Sequence, residues 1–526
     1  MLPNLTVPAL EDKPLINAET RPQKILDFLA KLPSAPLEAA SVLHDEMEIL
    51  NRQKVSAEQR FKALEIYRDH VIHLADTLAN TYGNASLPLS KEAKTYAAAA
   101  ESLWLELSYG YKLTFTDQLN QLFSPSDKSV ALTIYRAMEA LRQLSMVYYE
   151  TYFSVPGSIW RDWHQLYFHA AQESLHEIEL QTDEQSTNIN LLYKQILLMS
   201  LADPQHLAPQ DMELVADYIA RFANHTQLQG LGILENPAGI FVIALDSGKP
   251  PVPYVKNIEQ TDDSTDILFI TVDLARLVHQ HLQMLQSGNI SRNSGLPEAV
   301  LDSKYQDMLV YLIKHWGVSP KRVHKRSNKS SRSQLGVGLI AAHYFINNEQ
   351  HYINNEQHYQ APESAEDSGL MERVPVAKPP IKASNWQVIN VSANGTALRK
   401  LPSVSAQVRI GDLLSIRSDA EKNWSVAALR WANNGEQDRL DIGTQLIAPS
   451  AKAAGARIVN SGMYEPVLIL PAMPAIDQPA SIITRCGMYA PARVLELDEN
   501  GSISRVMITK LVERTRSFER FQFSVL

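Results

Sequence analysis

The chain has 526 residues, of which 45% are hydrophobic and 20% charged, with a formal net charge of −9. That length exceeds what one hydrophobic core supports and predicts roughly two to four domains. The composition excludes a mainly disordered chain, and the acidic balance excludes a protein that coats nucleic acid or an anionic membrane over its whole surface, so any basic site is local.

The single cysteine, Cys486, excludes an intrachain disulfide framework and a cysteine-built zinc site. Met1 to Lys13 lacks a basic start followed by an apolar stretch, and no apolar run approaches the roughly 20 residues that span a bilayer. These features predict a cytoplasmic protein with no membrane span.

In chain order, residues 1–17 hold three prolines and read as an extended arm. From about Arg21 to Phe222 apolar residues return at spacings of three and four, as in Leu132, Tyr135, Met138, Leu141, Leu144 and Tyr148. Breaks at Leu32-Pro33, Tyr82-Gly83-Asn84, Val155-Pro156-Gly157 and Asp203-Pro204 divide this stretch into roughly seven to nine helices. The aromatic and small-residue spacing from Ile159 to Ala171 resembles a helical-hairpin repeat, but no steady period of about 34 residues accompanies it, which favours a helical bundle. Such helices offer a surface to a protein partner, whose identity the sequence does not give.

Around 229–288 the texture changes. Gly239 to Asp246 and Ile267 to Val272 read as strands and Asp273 to about Gln286 as a helix, a small α+β segment with no phosphate loop. A helix from about Pro297 to Trp316 leads to a basic segment holding Lys321, Arg322, Lys325, Arg326, Lys329 and Arg332. A charge run is ordinarily a solvated linker; its position between two differently built halves makes it a hinge.

Six strands follow: Leu335 to Ile346, Trp386 to Ser392, Thr396 to Leu401, Asp412 to Arg417, Trp424 to Trp431 and Leu440 to Ile447. Short strands at this density suggest a closed barrel. Between the first two, Ile-Asn-Asn-Glu-Gln-His-Tyr stands at 346–352 and again at 353–359, a duplicated polar stretch expected as a surface loop. His343, His351 and His358 lie here without fixed carboxylate partners, so no metal site is expected. Further strands at Pro466 to Leu470, Ser481 to Thr484, Ala492 to Leu497, Ser504 to Leu511 and Phe518 to Val525 form a second small β unit.

Two short motifs carry the chemistry. Arg322-x-x-x-Arg326 supplies planar guanidinium forks that match phosphate oxygens or the O6/N7 edge of guanine. Asn390-x-Ser392-x-x-Gly395 supplies short polar contacts and a glycine that allows a backbone conformation or a close approach that a Cβ would forbid. Each motif alone is common, and Arg516-x-x-x-Arg520 also fits the first pattern. That copy follows the second motif at the far end of another β unit, so it cannot be the arm that enters the barrel.

In this order, on a hinge and then on a barrel, the motifs resemble the PilZ domain of bacterial cyclic di-GMP receptors over about residues 320–450. Trp424 to Trp431 and Asp441 to Leu446, with Gly443 at a kink, resemble its closing strands. The resemblance implies a six-stranded barrel and cyclic di-GMP as ligand, with Arg322 and Arg326 on guanine and phosphate and Asn390, Ser392 and Gly395 on the barrel surface. The gap from Arg326 to Asn390 is longer than the family usually shows, and Arg332 is an alternative partner for Arg326.

The fold expected is thus multidomain α+β: an arm at 1–17, a helical domain at 18–225, a small α+β segment and helix at 226–316, and a basic hinge at 317–334. A PilZ-like barrel at 335–450 with a loop insertion at 346–384 and a second β unit at 451–526 complete it. The function expected is a cyclic di-GMP receptor or adaptor, with no cofactor, in which binding at the hinge reorients the helical domain toward a protein partner. Family membership implies motility, adhesion, secretion or polysaccharide output without choosing among them. No GxSxG elbow, HExxH, Walker loop or GxGxxG after a strand is present, so the chain is not read as an enzyme. A nucleotide-independent scaffold with a degenerate barrel is the alternative. RNA binding is disfavoured because exposed aromatics do not interleave with the basic residues.

Overall fold

The computed structural model describes residues 3–526 apart from 13, 122–124, 183–184, 233–236, 255–264, 291–293, 298–302, 318–326, 329–330, 355–380, 420, 436, 460–462 and 475–477. The chain divides into two compact units, one of Met1–Ala85 with Leu89–Arg322 and one of Ser86–Pro88 with Val323–Leu526. No helix among the described residues is long and apolar enough to cross a membrane.

The first unit opens with eight helices among its described residues: α1 (Pro22–Leu29), α2 (Pro36–Asn51), α3 (Ala57–Tyr82), α4 (Lys91–Leu119), α5 (Asp127–Glu150), α6 (Gly157–Gln172), α7 (Ile189–Leu201) and α8 (Pro209–Phe222). Their starts follow local chemistry. Ser56, Ser90, Ser126 and Asn188 each accept a backbone N–H of the first turn, while α1, α2 and α8 begin with proline. A short hairpin, β1 (Leu180–Thr182) and β2 (Gln185–Thr187), which the helical periodicity does not reveal, interrupts the series between α6 and α7.

The extended arm is pinned to the bundle. Thr6 N–H donates to Asp162 at 3.0 Å, and Glu11 N–H donates to the Arg52 carbonyl at 2.7 Å. Asp162 in turn faces Lys112 at 2.8 Å in an ion pair whose side chains are 2% and 1% exposed.

The α+β segment folds as a four-stranded antiparallel sheet in the order β3-β6-β4-β5, from β3 (Gln227–Gly230), β4 (Ile240–Ala244), β5 (Val252–Pro253) and β6 (Asp266–Ile270). Helices α9 (Val272–Ser287) and α10 (Ser303–Leu312), the latter continued by a π-helical turn Ile313–Gly317, complete it. Trp316 is fully buried: its indole N–H donates to Leu198 of α7, and its carbonyl accepts from Thr271.

The second unit is built from two closed barrels around one shared helix. Strands β7 (Ser327–Asn328) and β8 (Arg332–Val337) lie on the same edge of β9 (Ser384–Ser392), as one interrupted strand. With β10 (Gly395–Lys400), β11 (Leu413–Ser418), β12 (Ser425–Asn434) and β13 (Leu440–Ala448), the sheet runs β10-β13-β12-β11-β8-β9 and closes through β9–β10 pairing.

The sequence-predicted first strand, Leu335 to Ile346, is corrected here. Strand pairing ends at Val337, Gly338 adopts a φ of 88°, and helix α11 (Leu339–Asn354) follows. A short apolar run cannot by itself separate strand from helix. The deciding signal is the spacing of Leu339, Ala342 and Ile346, which share one buried face. The first copy of the duplicated heptapeptide therefore begins inside a helix rather than a loop.

That face packs into a core made by Leu413, Trp424 and Val426 of the first barrel region and by Ala453, Leu468 and Ile483 beyond it. These last residues belong to a second closed barrel of six strands, ordered β14-β15-β16-β19-β18-β17. Its strands are β14 (Lys452–Ile458), β15 (Glu465–Leu470), β16 (Ser481–Thr484), β17 (Val494–Glu499), β18 (Ser502–Arg514) and β19 (Glu519–Val525). Val467, Ile482, Leu495, Val506 and Phe521 fill its interior. The tip of the β18–β19 hairpin docks on the first barrel, where the Ser517 hydroxyl accepts from Leu413 N–H at 3.1 Å and donates to the Gly411 carbonyl at 3.0 Å.

Candidate functional site

Strand alternation in the first barrel sends Ser333, Val388, Thr396, Ile416, Ala427 and Thr444, one from each of six strands, into a cavity of about 570 Å³ at its mouth. Two hairpin turns form the rim. One joins β9 to β10 and carries Ser392 and Gly395; the other joins β11 to β12 and carries Glu421, Lys422 and Asn423. The volume suits a drug-sized or nucleotide-sized ligand, and the lining alternates hydroxyls with aliphatic surface, the pattern of a pre-formed small-molecule site.

Gly395 is a glycine because of close approach, not because of backbone conformation. A Cβ placed on it would lie 1.8 Å from the Thr444 carbonyl oxygen of β13. The next residue ties the same two strands: the Thr444 hydroxyl accepts from Thr396 N–H at 3.3 Å and donates to the Thr396 carbonyl at 3.0 Å. Across the turn, the Ser392 hydroxyl donates to the Gly395 carbonyl at 3.2 Å. Gly443 has the same logic one strand over, since a Cβ there would meet the Trp431 indole at 1.7 Å.

Of the sequence-predicted site residues, Ser392 and Gly395 line the cavity and Asn390 does not. Asn390 sits deeper along β9, where its Cα partners are Ala397 on one side and Asn328 on the other. Arg322 and Arg326 lie outside the described residues. Ser327, the residue bonded to Arg326, pairs with Val391 inside the second motif. Arg332, the alternative arginine, is an exposed first residue of β8 that is absent from the lining, and its carbonyl accepts from Asp419 N–H at 3.2 Å.

The second RxxxR sequence is structural at its C-terminal end. Arg520 is buried in β19 and donates to the Ser481 hydroxyl at 3.1 Å.

The electrostatics of the mouth are simple. Lys422 is the one cation and Glu421 the one carboxylate among the described lining residues, and both are exposed. Three arginines of this barrel are engaged. Arg399 and Arg439 both pair with Asp441, at 2.7 and 2.6 Å. Burial raises the Asp441 carboxyl, but the donations of the two guanidinium groups outweigh it and hold the group below the usual carboxylate range. Arg430 reaches Gln445 at 2.7 Å and Glu513 of the second barrel at 2.5 Å.

His343, one of the histidines considered for metal, donates through Nε2 to the Ala454 carbonyl at 3.1 Å. The His351 side chain and His358 lie outside the described residues. Among those described, His44, Asp45 and Glu48 come within ligand reach of one another, but two of the three are open to water, the ordinary condition of surface acids.

Thr396, Thr444, Ser331, Ser333 and Lys422 also line the cavity and belong to neither motif. Their only sequence signal is the two-residue alternation of the strands that carry Ser333, Thr396 and Thr444 and flank Ser331 and Lys422.

Residues 23–235 match the model of the N-terminal domain of the cyclic-di-GMP receptor FimW, and 454–526 match the FimW C-terminal beta-barrel domain. The model of the middle PilZ domain of the cyclic-di-GMP receptor FimW matches residues 240–373 and 354–453, two segments that overlap around the duplicated heptapeptide. The cyclic-di-GMP receptor FimW of Pseudomonas aeruginosa is 23% identical over 572 residues, covering 99% of this chain and 93% of that protein.

Proposed function

We propose that this chain, which belongs to the PilZ-domain family, is a receptor for cyclic di-GMP that reads the nucleotide with the arm at Arg322 and Arg326 and the mouth of the first barrel. The observation that carries the reading is the pairing of β7 with β9. Strand β7, which directly follows Arg326 in the chain, joins the sheet at Val391 and Asn390, inside the second motif. Arg322 and Arg326 grip guanine and phosphate. Ser392 supplies a polar contact at the rim, Asn390 braces the strand that carries it, and Gly395 keeps the backbone of β10 close to β13.

Support also comes from the curated relative, which is named for cyclic di-GMP reception and matches along almost the whole chain. Ligand held by the arm and the barrel together favours one arrangement of the hinge over others, because a ligand shifts a conformational equilibrium only through differential contacts. The output is a reorientation of the helical domain that alters its capture of a protein partner.

The experiment is calorimetric titration of the full chain with cyclic di-GMP, paired with small-angle scattering of the free and loaded protein. Binding at micromolar concentrations with a change in scattering profile is expected. Binding without any change in profile would sink the coupling and leave a receptor of fixed shape.

A further inference from the structure

We infer that the hollow inside the first barrel is a pocket for one guanine base of the ligand, inserted between the strands while the sugar and phosphate groups stay at the mouth. This rests on the cyclic di-GMP reading above for the identity of the ligand; the pocket itself consists of described residues. A barrel of about eight strands is just wide enough for its own side chains to fill. The ring β10-β13-β12-β11-β8-β9 has six, so it holds a guest only where its inward residues are small.

The sequence of each strand makes that room at one level. Away from the mouth the interior is closed by Leu335, Trp386, Leu398, Leu414, Leu429 and Ile442, each at most 1% exposed and none bordering the cavity. Two residues nearer the mouth, on the same strands and the same faces, stand Ser333, Val388, Thr396, Ile416, Ala427 and Thr444, which line it. Five of the six positions step down in size, and the barrel is hollow there.

The ring order sets β8 opposite β13 and β9 opposite β12. Ser333 therefore faces Thr444 across the hollow, and Val388 faces Ala427. Two apolar walls between two hydroxyl poles complement a flat heterocycle, whose faces are apolar and whose edge carries donors and acceptors. The Ser331 hydroxyl, on the same lining, is buried without a hydrogen-bond partner among the described residues, an orphan that the edge of a base satisfies.

Charge decides which part of the ligand enters. Among the described lining residues, Lys422 and Glu421 are the charged ones, and both lie on the β11–β12 turn at the rim. A phosphate drawn into the interior would lose its water with no cation beside it, a heavy cost that a neutral base does not carry.

The test is calorimetry with cyclic di-GMP on the full chain and on Ala427→Leu, with the alanine methyl resonances of the wild type followed in a parallel titration. Ala427→Leu fills the hollow without altering the rim, and it is expected to weaken binding by about tenfold or more while the thermal transition holds or rises. The Ala427 methyl signal, identified by its absence from Ala427→Ser, is expected to move upfield as the base covers it. Wild-type affinity in folded Ala427→Leu would overturn the proposal, placing the nucleotide wholly outside the barrel and leaving the receptor reading intact. An unmoved Ala427 methyl at saturation would overturn it equally, and that result stands even where Ala427→Leu does not fold. No binding by the wild type would remove the receptor reading and this proposal together.

Discussion

Gly395 and Thr444 stand so close across β10 and β13 that a Cβ on the first would lie 1.8 Å from the carbonyl oxygen of the second. No side-chain rotation relieves a clash with backbone, so Gly395→Ala must push the two strands apart at the barrel mouth. The expected cost is about 1–3 kcal/mol, the range for overpacking a tight site, together with a loss of nucleotide binding. Thermal denaturation and titration of the same variant check both. Unchanged stability would mean that the strands are not held together there.

Ser392 and Asn390 separate the rim from the strand beneath it. Ser392 lines the cavity and Asn390 does not. Ser392→Ala is expected to weaken cyclic di-GMP by roughly three- to tenfold, the size of one lost polar contact, with a small fall in the thermal transition from the lost bond to the Gly395 carbonyl. Asn390→Ala should cost less affinity. A larger loss in Asn390→Ala, read by the same titration, would argue that the ligand sits lower on β9 than the cavity suggests.

Lys112 and Asp162 form an ion pair at 2.8 Å with 1% and 2% of their side chains exposed. Removing one partner strands a buried charge, so Asp162→Ala is expected to destabilise the helical unit by about 3–5 kcal/mol. Asp162 also accepts from Thr6 N–H, which predicts earlier proteolytic cutting of the N-terminal arm in this variant. The double change Lys112→Met with Asp162→Leu should recover most of the stability but not the protection of the arm.

Glu150, at the end of α5, has its carboxyl pushed up to about 7, first by burial and then by Glu213 and Asp76. A folded-state value above the unfolded one means that the folded protein keeps a proton the unfolded chain has released. Stability is therefore fully present below the ordinary carboxylate range and declines as pH rises from there to about 7. Thermal midpoints between these limits should fall with pH for the wild type and fall less for Glu150→Gln. Parallel curves for the two proteins would remove Glu150 as the cause.

Much of this architecture is legible in the sequence, because strand alternation and helical spacing are local. Trp386 to Ser392 and Leu440 to Ile447 are read within two residues of the strands observed, Ser384–Ser392 and Leu440–Ala448. Strand β14 is missed because Lys-Ala-Ala-Gly-Ala-Arg-Ile has little β preference, and its place is set by pairing with β15 and β17 from elsewhere in the chain. Helix α11 is misread because Leu-Ile-Ala-Ala-His-Tyr-Phe-Ile satisfies both strand and helix until tertiary packing decides. The cavity is the least legible feature. Ser331, Lys422 and Thr444 are far apart in sequence and become neighbours only when the barrel closes. Ser392 and Gly395 were legible because one turn holds both.

An arginine arm acting with the mouth of the barrel is the centre of the proposed receptor function. Isothermal titration of cyclic di-GMP into the full chain and into Arg326→Ala, with equal folding shown by thermal melting, addresses this most directly. Saturable binding by the wild type in the micromolar range and its loss in Arg326→Ala are expected. No heat from the wild type at tens of micromolar ligand, or equal affinity in both proteins, would contradict it and favour a nucleotide-independent scaffold.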